Sequence, residues 1–311
     1  MTSKKSFPSL KGFWINISEN GKDQLYPSHC TNSDYTEDCT VSANGKEITF
    51  RNTCRIALLE TKQEKDWAFH SLGNKRLSYD VFLGNVPKGH YFAFYSCQLT
   101  KGEGYKDVSC WDSRMELDFM MTNQFVWLTS YHQQNDRVGG CCMGLGGLGG
   151  LGGKHRSFQS HSGKQPTELF GPKKWIDTTR PFRVIHHHLP NKVRLEIHQE
   201  ERVIWDEYFD DIYWKQVEKE IKEKPQTLIL SLYYSGSGMS WLDGHVSSSK
   251  DRMDQPPSSS TIWATISNIC LDDIHHVGDV ELQSSKDEEK SFIIPSSSRT
   301  HCPHCQRSLC G

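Results

Sequence analysis

Nowhere in this 311-residue chain do apolar residues run for the roughly 18 positions that a membrane-crossing helix needs, so no membrane partner is expected. The first eight residues, Met1 to Pro8, carry two lysines but no apolar stretch behind them, so no secretory signal is visible. A surplus of either charge is also missing. Lys plus Arg number 36 against 38 Asp plus Glu, a formal net charge of −2. That excludes the basic footprint of a nucleic-acid binder, and no polybasic run marks a membrane surface. The glycine-rich stretch at 139–153, "GGCCMGLGGLGGLGG", lacks the Lys-Ser or Lys-Thr that closes a phosphate loop and reads as a flexible loop. No cofactor is expected.

Cysteine, in contrast, is plentiful. Eleven are present, an odd number, so at least one is unpaired, metal-bound or intermolecular. So many cysteines suit an oxidising compartment, which sits awkwardly with the missing signal. Three of them close the chain in "HCPHCQRSLCG", where Cys302, Cys305 and Cys310 with His301 and His304 form half of a zinc site. A second ligand pair at defined spacing is not visible, and disulfides or free thiols are the simpler expectation. His186 and His188, in the run His186-His187-His188, would share one face of a strand, but a metal there needs a third ligand. The 9 Trp, 11 Tyr and 14 Phe serve equally well as core filling or as a lining for a sugar cleft.

Most of the chain reads as strand. The segments 47–60 ("EITFRNTCRIALLE"), 77–85, 90–99, 115–128, 181–188, 192–198, 227–234 and 261–270 are rich in β-branched and aromatic residues between turn formers. In "KVRLEIHQ", Val193, Leu195 and Ile197 alternate onto one face. Many short strands with turns between them indicate an all-β antiparallel sandwich or jelly roll. One helix is expected over 211–223, where Ile212, Trp214, Val217 and Ile221 fall near helical spacing, with Asp210 or Asp211 as its cap. The expected organisation is an N-terminal extension at 1–11, one sandwich domain at 12–282 and a polar tail at 283–311.

Within one strand lies "MELDFMMTN" (115–123), with two carboxylates two residues apart in an apolar run. Glu116 and Asp118 would point the same way, and bringing like charges together out of water is costly. This segment resembles the catalytic strand of glycoside hydrolase family 7, the cellobiohydrolases and endoglucanases that cut β-1,4-glucan, whose pattern is E-x-D-x-x-E-x-N. Further resemblances follow in the family's order: 77–99, "ELFGPKKWIDTTRPFRVI" (168–185), "TLILSLYYSGSGMSWLDG" (227–244) and "IWATISNICLDDI" (262–274).

The resemblance implies a concanavalin-like β-jelly roll, two curved antiparallel sheets with a glucan cleft on the concave face. It implies a retaining mechanism, β-1,4-glucan or cello-oligosaccharide as partner, a monomer and an extracellular location. Residue by residue, it makes Glu116 the nucleophile and Asp118 the carboxylate that holds it. It puts His132 in the active site, and Asn123, Tyr233, Trp241 and Trp14 on the substrate. One position departs from the pattern. The acid/base Glu falls at 121, which is Met121, and a thioether has no proton to donate. Position 121 is also five beyond Glu116, so a regular strand would turn it to the opposite face, and only a bulge would bring it back. Asp112 and Asp136 flank the motif but do not replace the acid by spacing. The chain is short for the family, and an open cleft is expected. Three readings therefore stand: an impaired glucanase, a glucan-binding protein of the same fold that does not cut, and a sandwich whose carboxylates merely pair with Arg114 or Lys106.

Overall fold

The computed structural model describes residues 14–30, 39–51, 53–59, 67–68, 70–99, 114–134, 141–146, 166–209, 212–234 and 262–274. The chain divides into two units, Met1–Ile274 and His275–Gly311, and every described residue belongs to the first. In chain order the strands are β1 (Trp14–Glu19), β2 (Lys22–Cys30), β3 (Cys39–Val41), β4 (Glu47–Arg51), β5 (Cys54–Leu58), β6 (Lys75–Asn85), β7 (His90–Cys97), β8 (Glu116–Thr122) and β9 (Val126–His132). They continue as β10 (Cys141–Gly146), β11 (Phe170–Gly171), β12 (Ile176–Asp177), β13 (Phe182–Leu189), β14 (Lys192–Gln199), β15 (Arg202–Phe209), β16 (Thr227–Tyr234) and β17 (Trp263–Asp273). A single helical turn, α1 (Pro166–Leu169), and one amphipathic helix, α2 (Ile212–Glu223), complete the described elements. No helix among the described residues is long and apolar enough to cross a membrane.

The strands form a jelly-roll sandwich. The hydrogen-bonded path runs β10-β9-β8-β7-β16-β5-β2-β1-β17-β6-β13-β14-β15, turning from one layer to the other at β2 and β1. Pairing is antiparallel except between β1 and β17, and in the small β11–β12 pair. Alternation decides what fills the space between the layers. Ile15 and Ile17 on β1, Leu77, Tyr79 and Val81 on β6, and Val193, Leu195 and Ile197 on β14 are buried from one layer. From the other come Phe92 and Phe94 on β7, Leu117 and Phe119 on β8, and Leu228, Leu230 and Leu232 on β16. Each such side chain contributes about 1.5–3 kcal/mol on leaving water. The amphipathic helix seals one end with Trp214, Val217 and Ile221, and the Trp214 indole donates to the Leu189 carbonyl at 3.3 Å.

Three expectations need correction. The run 47–60 is two strands: β4 pairs with β17 and β5 with β16, so it serves both layers. The run 115–128 is likewise two strands, β8 and β9, folded into a hairpin at Asn123–Phe125. The glycine-rich stretch is not wholly loop, because Cys141–Gly146 pairs with β9 as an edge strand. The expected cap residues of α2, and the polar tail from 283, lie outside the described residues.

Candidate active site

The bulge in β8 decides where position 121 points. On β7, Tyr95 pairs with Asp118 but Phe94 pairs with Met120, so Phe119 has no partner of its own. On β9, Ser130 faces Asp118 and Leu128 faces Met121, so three residues of β8 advance against two of β9. The inserted residue restores parity. Leu117, Phe119 and Met120 are all fully buried toward the core. Glu116, Asp118 and Met121 share the opposite face with Tyr95 and Ala93 of β7, both of which belong to a second apolar cluster away from the main core.

Two groups from the far side fasten the bulge. Thr129 Oγ1 donates to the Asp118 carbonyl at 2.6 Å. The fully buried His186 ring hydrogen-bonds to the Phe119 backbone. His186 also contacts the hydroxyls of Tyr79 (3.2 Å) and Tyr131 (3.1 Å), and Tyr131 reaches His188 Nε2 at 3.3 Å. Burial holds His186 well below the usual histidine range and brings His188 down to about 3, so both are neutral. His186 and His188 do share a face, as the alternation predicts, and tyrosines surround them. No group of three metal-ligating side chains occurs among the described residues.

On the face away from the main core Glu116 lies across from His132. The His132 Nε2 is 3.5 Å from Asp118 Oδ2 and 2.8 Å from Ser130 Oγ. Asp118 is buried, whereas Glu116 keeps a solvent-accessible edge. Burial, then the Asp118 charge and a side-chain hydrogen bond from the pair itself, push the Glu116 carboxyl well above the usual carboxylate range, while Arg55 pulls the other way. The neighbouring Asp118 carboxyl thus disfavours the charged form of Glu116. Two carboxyls in hydrogen-bond contact leave no room for a sugar between them. They cannot by themselves supply the flanking acid and base that either course of glycoside hydrolysis needs.

Tyr91 and Tyr233 extend this face along β7 and β16, their ring centroids 5.6 Å apart, and Tyr233 is 39% exposed. Tyr91 senses Arg55, Asp118 and Glu116 together, and burial raises its hydroxyl above the usual phenol range. Arg55, Ser130 and Tyr91 are the site residues that sequence reasoning missed. Each is an ordinary strand residue whose neighbours are set by pairing across three or more strands.

The other expected residues divide. Asn123 is fully buried and builds the hairpin, its Oδ1 accepting from the amides of Phe125 (2.9 Å) and Val126 (3.1 Å). The sequence "TNQF" carried that turn signal. Trp14 is 40% exposed on β1, five strands along the path from β8, and the structure does not bring it to the carboxylates. Arg114 Nη1 donates to the Gln98 carbonyl at 3.1 Å. Trp241, Lys106, Asp112, Asp136, His301, Cys302, His304, Cys305 and Cys310 lie outside the described residues. Cys97, across from Glu116 on β7, is disulfide-bonded. A hollow of about 590 Å³ occurs elsewhere, lined by Thr49, Asp80, Trp263 and Thr265. There Thr49 hydrogen-bonds to Thr265, and Asp80 accepts from Arg183 and Asn268.

The fold defines a class, a jelly roll of the family 7 cellulase type, here with two adjacent carboxyls on β8. No family model matches the sequence, and no curated protein matches it. Solved structures do. An endoglucanase I complexed with cellobiose superposes with a TM-score of 0.63 at 15% identity, covering 88% of this chain and 98% of that one. A cellobiohydrolase from Melanocarpus albomyces complexed with cellotetraose gives 0.63 at 13%, again over 88% and 98%. A family 7 cellobiohydrolase from Daphnia pulex gives 0.60 at 12%, over 88% and 99%. The fold is thus that of family 7 cellulases, on a sequence far diverged from theirs.

Proposed function

We propose that this chain binds a β-1,4-linked glucan or cello-oligosaccharide on the face that carries Glu116, and that Glu116 is the nucleophile of a retaining site that has lost its acid. The observation that carries this reading is the bulge at Phe119. It gives Glu116, Asp118 and position 121 the common orientation such a mechanism needs, even though position 121 no longer holds a carboxyl. His132 with Ser130 holds the Asp118 carboxylate in place beside the nucleophile. Arg55 favours the ionised nucleophile. Without an acid, hydrolysis of a sugar–sugar bond falls by about 10²–10⁴, so slow turnover on cellulose is part of the reading.

The test is covalent trapping. A fluorosugar cellobioside with a dinitrophenyl leaving group needs no acid to depart and leaves a stable glycosyl ester on a live nucleophile. Mass spectrometry of the digested protein should place the added mass on the peptide that contains Glu116, and Glu116→Gln should abolish it. Met121 also favours a second reading, binding without cleavage. Calorimetric binding of cellotetraose by a folded chain that never forms the adduct would establish that reading. Neither adduct nor binding would remove both and leave the carboxylates a structural role.

A further inference from the structure

We infer that the outer face of the other layer carries a second binding site, for a neutral oligosaccharide of pyranose rings. It is separate from the carboxylates and does not depend on what Glu116 does. The site is the hollow of about 590 Å³ on β4, β17 and β6. Phe50, Ile266 and Val81 of these strands point inward and are fully buried in the main core. The residues that alternate with them face outward and line the hollow, Thr49, Thr265 and Phe82 half-buried and Glu47 and Arg51 exposed.

Two bulges bracket this hollow. Trp263 pairs with Asn85 but Thr265 with Phe82, so β6 carries an extra residue at one end. Ser267 pairs with Asp80 but Cys270 with Ser78, so β17 carries one at the other. Each bulge holds a residue in the left-handed region, Gly84 (φ 44°) and Asn268 (φ 52°). Bulges bend a strand and re-aim its side chains. The first one seats an aromatic platform. A Cβ on Gly84 would lie 2.5–2.7 Å from three ring atoms of Trp263, so the indole lies flat over the glycine and leaves its other face outward. Phe82 stands beside it at 84°, with ring centroids 5.1 Å apart. The second bulge builds a polar end, where Asn268 donates to Asp80 at 2.8 Å and Arg183 donates to it at 3.0 Å.

These groups select a ligand with flat apolar faces and polar edges. Arg51 lies across from Trp263, Thr49 from Thr265 and Glu47 from Ser267. At about 3.3 Å per residue the three rungs extend over about 13 Å, room for roughly two pyranose rings. The C–H face of a pyranose stacks on the indole, and its hydroxyls meet the edges. Arg51 supplies donors and Glu47 acceptors, and neither side chain has a partner among the described residues. The charges balance, Glu47 against Arg51 and Asp80 against Arg183, which favours a neutral ligand over a phosphate. An extended peptide would need a free strand edge. Here β17 is paired by β4 and β6, β6 by β17 and β13, and β4 by β3 and β17.

The experiment titrates the full chain, carrying isotope-labelled tryptophan, with cellotetraose, xylotetraose and maltotetraose while NMR follows the indole N–H signals. Loss of one signal in Trp263→Phe identifies that of Trp263. At least one of the sugars should shift it saturably. Arg51→Gln and Glu47→Gln, both exposed and so harmless to folding, should each weaken that titration by about three- to tenfold. Tyr233→Ala, on the Glu116 face, should leave it unchanged. If no sugar moves the Trp263 signal, or if the shift is indifferent to Arg51→Gln and Glu47→Gln, the inference is overturned whatever binds near Glu116. A shift lost in Tyr233→Ala but kept in Arg51→Gln would assign the binding to the Glu116 face and overturn it equally. A Trp263 response in a chain that forms no adduct and is unaffected by Tyr233→Ala would uphold the second site while the reading of the Glu116 face fails.

Discussion

On the side of β8 that faces away from the main core, Glu116 and Asp118 lie in contact, Asp118 buried and Glu116 half-buried. On the core side of the same strand, His186 and His188 sit neutral among tyrosine hydroxyls, out of reach of water. Both are costly places for polar groups, and they are resolved in opposite ways. The core network joins its rings and hydroxyls to one another and is kept uncharged. The carboxylate pair instead puts two acids in contact, which raises the Glu116 carboxyl, and perturbed acids of this kind mark candidate functional sites. The two meet at the Phe119 carbonyl, where His186 fastens the bulge that presents position 121. The neutral side thus sets the geometry that the charged side would use.

The sharpest way to break the comparison is to add an acid beside Glu116 and Asp118. Met121→Glu places a carboxyl on the face already shared by Glu116 and Asp118. Cello-oligosaccharide hydrolysis should rise by about 10²–10⁴, measured as reducing ends released. A folded variant with no gain would mean that the site is not poised for this chemistry. The pH profile of the same pair of proteins should differ in shape. In the wild-type chain, release from an aryl cellobioside needs only ionised Glu116, whose carboxyl is raised. Activity should climb toward alkaline pH without a descending acid limb, whereas Met121→Glu should give a bell. A bell-shaped profile in the wild-type chain would reveal an acid supplied from elsewhere.

These expectations rest on features that were unequally legible in the sequence. The alternation of Val193, Leu195 and Ile197 fixed their common face, and the spacing of Trp214, Val217 and Ile221 fixed the helix, because each pattern is local. The motif at 115–123 showed which residues matter but not whether position 121 reaches them. A bulge is a property of register against both β7 and β9, and no local pattern encodes it. For the same reason 47–60 and 115–128 read as single runs: β propensity marks extended chain and not the layer it joins. Asn123 illustrates the converse. Its match to the family pattern suggested sugar contact, yet its amide is committed to the hairpin.

A smaller effect should follow from loosening the core side. His186→Phe keeps the volume and removes the bond to the Phe119 carbonyl, leaving that carbonyl and the tyrosine hydroxyls short of a partner. Stability in urea should fall by about 1–3 kcal/mol. In the Met121→Glu background the same change should lower kcat more than it alters KM, since it misplaces the new acid rather than the sugar. If kcat holds while stability drops, His186 supports the fold but does not position the bulge.

The smallest expected effects are in stability against pH, and the two sides of β8 should move it in opposite directions. Burial depresses the pKa of His186 and His188, so the unfolded chain binds protons that the folded one refuses. Stability is then lost as pH falls below about 6.5, by up to roughly 1.4 kcal/mol per unit for each ring. Glu116 has the opposite sign. Its folded pKa is raised, so stability is full below the ordinary carboxylate pKa and declines as pH rises through the raised value. Glu116→Gln should therefore raise Tm at pH 8, by on the order of 2 °C given its partial exposure, and the gain should vanish near pH 4. His186→Phe should instead flatten the acid side of the curve. Thermal unfolding of both variants from pH 4 to pH 8 separates the two contributions. A Glu116→Gln gain that persisted at pH 4 would show that charge sharing with Asp118 is not its source.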